Sequence, residues 1–146
     1  MRTRTLILTL MVAVAVGWAV PDKSSVDDLK ARLANARPED RPNLCIQIAE
    51  RQVAEADKLY TDGKLEEGQA AVQDVVSYSQ QAGEAVRQSG HRVKNTEIAL
   101  RKMARRLTDI KHTLPSDNQP PVQAAIDTLE KIRTDLLNSM FGKKEK

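Results

Sequence analysis

A chain of 146 residues carrying 23 Lys and Arg against 20 Asp and Glu has the length of one domain and a formal net charge of only +3. Aromatic residues make up 3% of it and Cys45 is its single cysteine. Stacking platforms for single-stranded nucleic acid are therefore scarce, and no intrachain disulfide can form.

The start of the chain differs from the rest. Arg2 and Arg4 precede Leu6 to Val20, which is apolar apart from Thr9 and Gly17, and Pro21, Asp22 and Lys23 end the run. A basic stretch followed by a short apolar one is the pattern of a secretory signal, and the run is short of the about 20 residues a spanning helix needs. The expectation is a signal peptide at residues 1–19, cleaved after Ala19, and a protein exported to the periplasm or extracellular space. The alternative is an uncleaved N-terminal anchor. Cleavage would remove Arg2 and Arg4 but no acidic residue, leaving 21 basic against 20 acidic groups. Net basicity then gives no reason to expect a nucleic-acid partner.

From Ser24 or Ser25, which suit a helix N-cap ahead of Asp27 and Asp28, the spacing of Val26, Leu29, Leu33 and Ala36 predicts a short first helix. Pro38 and Pro42 end it, and Pro42 can open the next helix, where a missing N–H costs nothing. Ile46, Ala49, Val53, Ala56 and Tyr60 repeat at three-four spacing and predict a helix over about 42–62. Asp62-Gly63 closes it, and the chain turns back antiparallel. Cys45, between Leu44 and Ile46, reads as a small buried apolar residue.

Fifteen positions from Leu65 to Leu114, taken at alternating steps of three and four, contain eleven apolar residues and no charged one. At 29% charged residues overall, about four charges would be expected among them. The count passes through Ser89, Gly90 and Val93 without an inserted or missing residue, so the expectation is one coiled-coil-like helix over about 64–114. The alternative is a fold-back at Gly90, giving a compact four-helix bundle. Pro115 ends this stretch. Pro120 and Pro121 open a last helix over about 119–141, carrying Val122, Ala125, Leu129, Ile132 and Leu136. The fold class is thus all-α: a long helix with shorter antiparallel ones on its two halves, forming one domain over 24–141, and a basic, disordered tail at 142–146.

Ala56 and Leu59 supply a small and a large packing residue on one helix, Gly63 a turn glycine, and Leu65 and Gly68 the start of the next helix. In this order residues 56–75 resemble the middle of a tetratricopeptide repeat, with Leu65 in an aromatic's usual place and Gly68 in that of a nearly fixed Ala. Gln52 stands where the family favours Trp, and Val75 replaces a later Ala. The resemblance implies a protein-binding helical hairpin, a generic αα-hairpin being the alternative.

Residue types for chemistry are sparse. His91 and His112 lack the four-residue spacing of a helical zinc site, and no glycine-rich run precedes Lys-Ser or Lys-Thr to cradle a phosphate. No catalytic residue, metal or cofactor is expected. Between His91 and Leu114, seven basic residues oppose only Glu97 and Asp109, whereas Asp62 to Arg87 is net acidic. Lys94, Arg101, Lys102, Arg105 and Arg106 are the candidate contacts with an anionic surface such as lipid head groups or envelope polymer. The plainer reading is a solvated face with intrahelical pairs such as Glu97 with Arg101. The functional expectation is a non-catalytic interaction or scaffold protein of the cell envelope. It would act by protein contact or self-association, or bind anionic surfaces peripherally.

Overall fold

A computed structural model describes residues 25–142. The expected signal peptide at 1–19, and the tail beyond residue 142, lie outside the described residues. Within them the fold is all-helical: α1 (Val26–Ala34), α2 (Arg41–Thr61), α3 (Leu65–Ser89), α4 (Val93–Thr113) and α5 (Gln119–Phe141), with a 3-10 turn at Ser116–Asn118 before α5.

Local chemistry sets most of the boundaries. Ser25 caps α1 reciprocally: its hydroxyl accepts from the Asp28 amide while the Asp28 carboxylate accepts from the Ser25 amide. Pro42 sits in the first turn of α2. Gly63, at φ +76°, ends α2 with the Lys64 amide donating back to the Leu59 carbonyl at 2.8 Å, and α3 begins at once. α2 and α3 therefore form a hairpin. Its arms touch at Tyr60 and Gly68, where an added Cβ would lie 2.8 Å from two ring carbons. α4 and α5 form a second hairpin across the turn after Pro115.

The expected continuous helix over 64–114 is corrected to two. Gly90 adopts φ +69° with its amide bonded to the Val86 carbonyl, a left-handed helix end, and Arg92 follows at φ 62°. Gly90 accepts this conformation without a Cβ penalty. Three linking residues separate Ser89 from Val93, the four-residue step the seam count already used, so the fold-back leaves the phase unchanged. Twelve of the fifteen seam residues are buried. Ser89 and Val93, on either side of the break, are half-buried, and Leu65 is exposed.

The shorter helices cover the seam as expected, α2 on α3 and α5 on α4. The fold-back adds two further contacts, α3 beside α5 and α2 beside α4. Gly83 meets Ile132, and Gln69 to Gln80 share a groove with Pro121 to Thr128, so α3 and α5 run parallel. α2 and α4 do likewise: Ile46 neighbours Thr96 and Arg106 reaches Asp57. α1 lies along α2, placing the Lys30 ammonium 5.6 Å from the centroid of the Tyr78 ring. One cluster of buried residues, drawn from all five helices, forms the core.

Folding back also removes the end-to-end charge polarity that an unbroken rod would carry. The acidic start of α3, with Glu66 and Glu67, now stands at the same end of the bundle as Lys111 and His112 at the close of α4.

Candidate functional site

α4 divides into a buried and a charged side. Thr96, Ala99, Leu100, Met103, Ala104, Leu107 and Ile110 face the core. Lys94, Arg101 and Arg105 stand seven and eleven residues apart, which places them within about 40° of one another around the helix axis. Lys102 and Arg106 lie farther round towards α2, where both line a groove with Glu50, Val53 and Ala54. Lys94, Lys102, Arg105 and Arg106 are exposed and Arg101 is half-buried.

Their partners decide how much charge the face offers. Arg106 donates to Asp57 at 2.5 Å, so its charge is matched across the α2–α4 contact. Lys94, Arg101, Lys102 and Arg105 make no hydrogen bond or ion pair with any described residue. Four of the five sequence candidates thus share one side of one helix unpaired, and the fifth is engaged.

The pairing of Glu97 with Arg101 is not made. Glu97 is 7% exposed and accepts from Arg133 Nε on α5 at 2.6 Å, while Arg133 also donates to Glu130 at 2.9 Å. These two carboxylates, Glu97 first, hold the Arg133 guanidinium still more firmly protonated than usual, against a smaller opposing effect of burial. The buried side of α4 spends its one acid on another helix, leaving Asp109 as the acid of its exposed side. Lys111 likewise turns to α5, donating to Gln123 Oε1 at 2.7 Å.

Chemistry-bearing residues elsewhere stand apart. His91 precedes α4 and His112 lies in its last turn, a full helix length away. Among the described residues no three His, Cys, Asp or Glu side chains gather as a metal site would require. Cys45 is buried at 1% exposed, and burial pushes its thiol up to about 11 despite the opposing charge of Arg41. Among the described residues no helix is long and apolar enough to cross a membrane.

Sequence reasoning missed two residues at the start of α4. Arg92 counted towards the local charge without entering the candidate set, and Thr96 read as polar filler of the apolar seam. The available signal was the position of Arg92 just after a glycine that can end a helix. No family model matches the chain, and neither the curated proteins nor the solved structures contain a match to it.

Proposed function

We propose that this is a non-catalytic interaction protein of the cell envelope, exported by its N-terminal segment, that meets an anionic surface through the exposed side of α4. The observation that carries the reading is the unpaired state of Lys94, Arg101, Lys102 and Arg105, while Glu97 is drawn off to Arg133. Exposed cations without internal partners retain their field for an external anion, which sets the rate and orientation of encounter. Most of the apolar seam is spent inside the bundle, and the large apolar side chains exposed among the described residues are Leu65 and Phe141. That leaves coiled-coil self-association with little surface to bury.

The test is cosedimentation with phosphatidylglycerol vesicles and retention on heparin at low salt. Replacing Arg101, Lys102 and Arg105 together by Gln is expected to abolish binding that the wild-type protein loses only as salt rises. Unchanged retention of the triple variant sinks the reading.

A second reading, contact with a protein partner, draws on the groove between α3 and α5. Gln69, Gln73, Ser77 and Gln80 face Ala124 and Thr128 there, and no charged residue lines it. It lies beside the tetratricopeptide-like hairpin. This reading predicts a stoichiometric crosslinked partner, and a protein that stays monomeric at high concentration and crosslinks to nothing removes it.

A further inference from the structure

We infer that the start of α4 binds a single phosphate group, held by Arg92, the free amides of the first helical turn and the side chains of Asn43, Asn95 and Thr96. This rests on the reading of α4 as the face that meets an anionic surface, and it names the chemical group recognised. A cleft of about 50 Å³ opens between α2 and α4, lined by Asn43, Ile46, Arg92, Asn95 and Thr96. It is large enough to admit a small oxyanion. No carboxylate lines it.

The helix start has no internal cap. Arg92 occupies the N-cap position and no side chain bonds to the first-turn amides. Among the described residues the amides of Val93, Lys94 and Asn95 have no acceptor, and Thr96 is the first whose amide is bonded, to the Arg92 carbonyl. Three free N–H groups at the positive end of a 21-residue helix attract an anion, as do the neighbouring cations of Arg92 and Lys94.

An independent observation comes from Thr96. Its side chain lines the cleft and the residue is 3% exposed, yet its hydroxyl has no hydrogen-bond partner among the described residues. The hydroxyl oxygen itself reaches the cleft and so stays accessible to a ligand there. The other five threonines of the described chain, at 61, 108, 113, 128 and 134, each donate back to a carbonyl of the preceding turn. Thr96 makes no such bond. A phosphate oxygen in the cleft would accept from this hydroxyl, from the Asn43 and Asn95 amides and from the guanidinium of Arg92.

The test titrates the purified protein with inorganic phosphate and follows its amide resonances. Saturable shifts are expected at Val93, Lys94 and Asn95 and at the side-chain amides of Asn43 and Asn95. Arg92→Gly suits the left-handed backbone, so that variant folds, and it is expected to weaken phosphate about tenfold; the isosteric Thr96→Val should weaken it several-fold. No saturable shift, or equal affinity in both variants, overturns the site.

A second arm uses vesicles of phosphatidylglycerol in phosphatidylcholine. Weaker vesicle binding by Arg92→Gly identifies the lipid phosphodiester as the source. Saturable phosphate shifts in a protein that ignores vesicles keep the site for free phosphate and sink the surface reading. Vesicle binding without phosphate shifts sinks the site and keeps the surface.

Discussion

The α2–α3 hairpin and the α4–α5 hairpin meet the same packing requirement with different side chains. α3 buries Gly68, Ala71, Val72, Val75, Ser79, Ala82, Gly83, Ala85 and Val86, none larger than valine. Bulk on that side comes from α2, through Leu44, Ile46, Ile48 and Tyr60. In the second hairpin both arms are bulky: α4 offers Leu100, Met103, Leu107 and Ile110, and α5 offers Ile126, Leu129, Ile132 and Leu136. A thin helix lets its neighbours approach closely, which is why α3 can touch α1, α2 and α5. Each hairpin also carries one polar tie between its arms, Gln52 to Asp74 at 2.7 Å in the first and Arg133 to Glu97 at 2.6 Å in the second, and the outer surface of the second stays free to carry charge. One hairpin thus centres the bundle while the other presents the candidate site.

The largest effect expected of a single core change falls in the bulky hairpin. Leu107, fully buried, should cost about 3 kcal/mol as Leu107→Ala, because lost transfer energy and a residual cavity add. Val75→Ala in the thin hairpin removes fewer atoms and should cost about 2 kcal/mol. Urea unfolding of both variants measures the contrast, and equal losses would break it.

The polar tie of the second hairpin comes next. Arg133→Met strands the Glu97 carboxylate, 7% exposed, without its donor, and about 2 kcal/mol should be lost. The double change Arg133→Met with Glu97→Met removes both charges and should recover most of that loss. If the single variant is neutral, the tie does not help to hold the bulky arms together.

A pH scan separates the hairpins in another way. The folded Cys45 thiol, in α2, is raised from 9.0 to about 11, and burial raises Tyr60 in the same helix in the same direction. Above pH 9 the unfolded chain sheds the thiol proton while the folded one retains it, so unfolding releases a proton and stability falls as pH rises. About 2 kcal/mol should disappear between pH 9 and 11, and Cys45→Ala should flatten that decline even though it lowers stability at neutral pH. The same curve in both proteins would assign the alkaline loss to other groups.

Close approach of the thin helix α3 to α5 of the other hairpin is tested by methyl insertion. An alanine Cβ at Gly83 would lie 2.8 Å from the Cγ2 methyl of Ile132. Overpacking of that kind costs 1–3 kcal/mol, while Ala gains about 1 kcal/mol of helix propensity over Gly, so a net loss of about 1 kcal/mol is expected. With Ile132→Ala in the background the sign should reverse, because the obstructing methyl is gone. Gly83→Ala that stabilises the parent protein would mean that α3 and α5 stand farther apart than described.

Much of this architecture was legible because its signals are local. Ser25 with Asp28, Pro42, Gly63, Pro115, Pro120 and Pro121 each mark a boundary within one helical turn of where it falls. The break at Gly90 stood only as the alternative because apolar periodicity reports which face of a helix is buried and not what buries it. A linker that spans the usual four-residue step hides the turn. The partners of Glu97 and Arg106 lie 36 and 49 residues away, and no spacing rule within one helix reaches them. Outward charge at Lys94, Arg101, Lys102 and Arg105 was readable, but the cleft around Thr96 depends on Asn43 of another helix.

The smallest expected effect bears on the joint between the hairpins. Gly90 at φ +69° has nothing within 4 Å of an added Cβ, so Gly90→Ala meets only backbone strain, about 1 kcal/mol for a left-handed L-residue. Arg92 already carries the same strain at φ 62°, and Arg92→Gly should return about that much. The pair distinguishes a fold-back from a rod without a second structure. In a continuous helix Gly90→Ala would stabilise by about 1 kcal/mol through propensity and Arg92→Gly would destabilise by a similar amount. The two outcomes differ in sign at both positions, so thermal unfolding of two variants decides whether the chain bends between the hairpins.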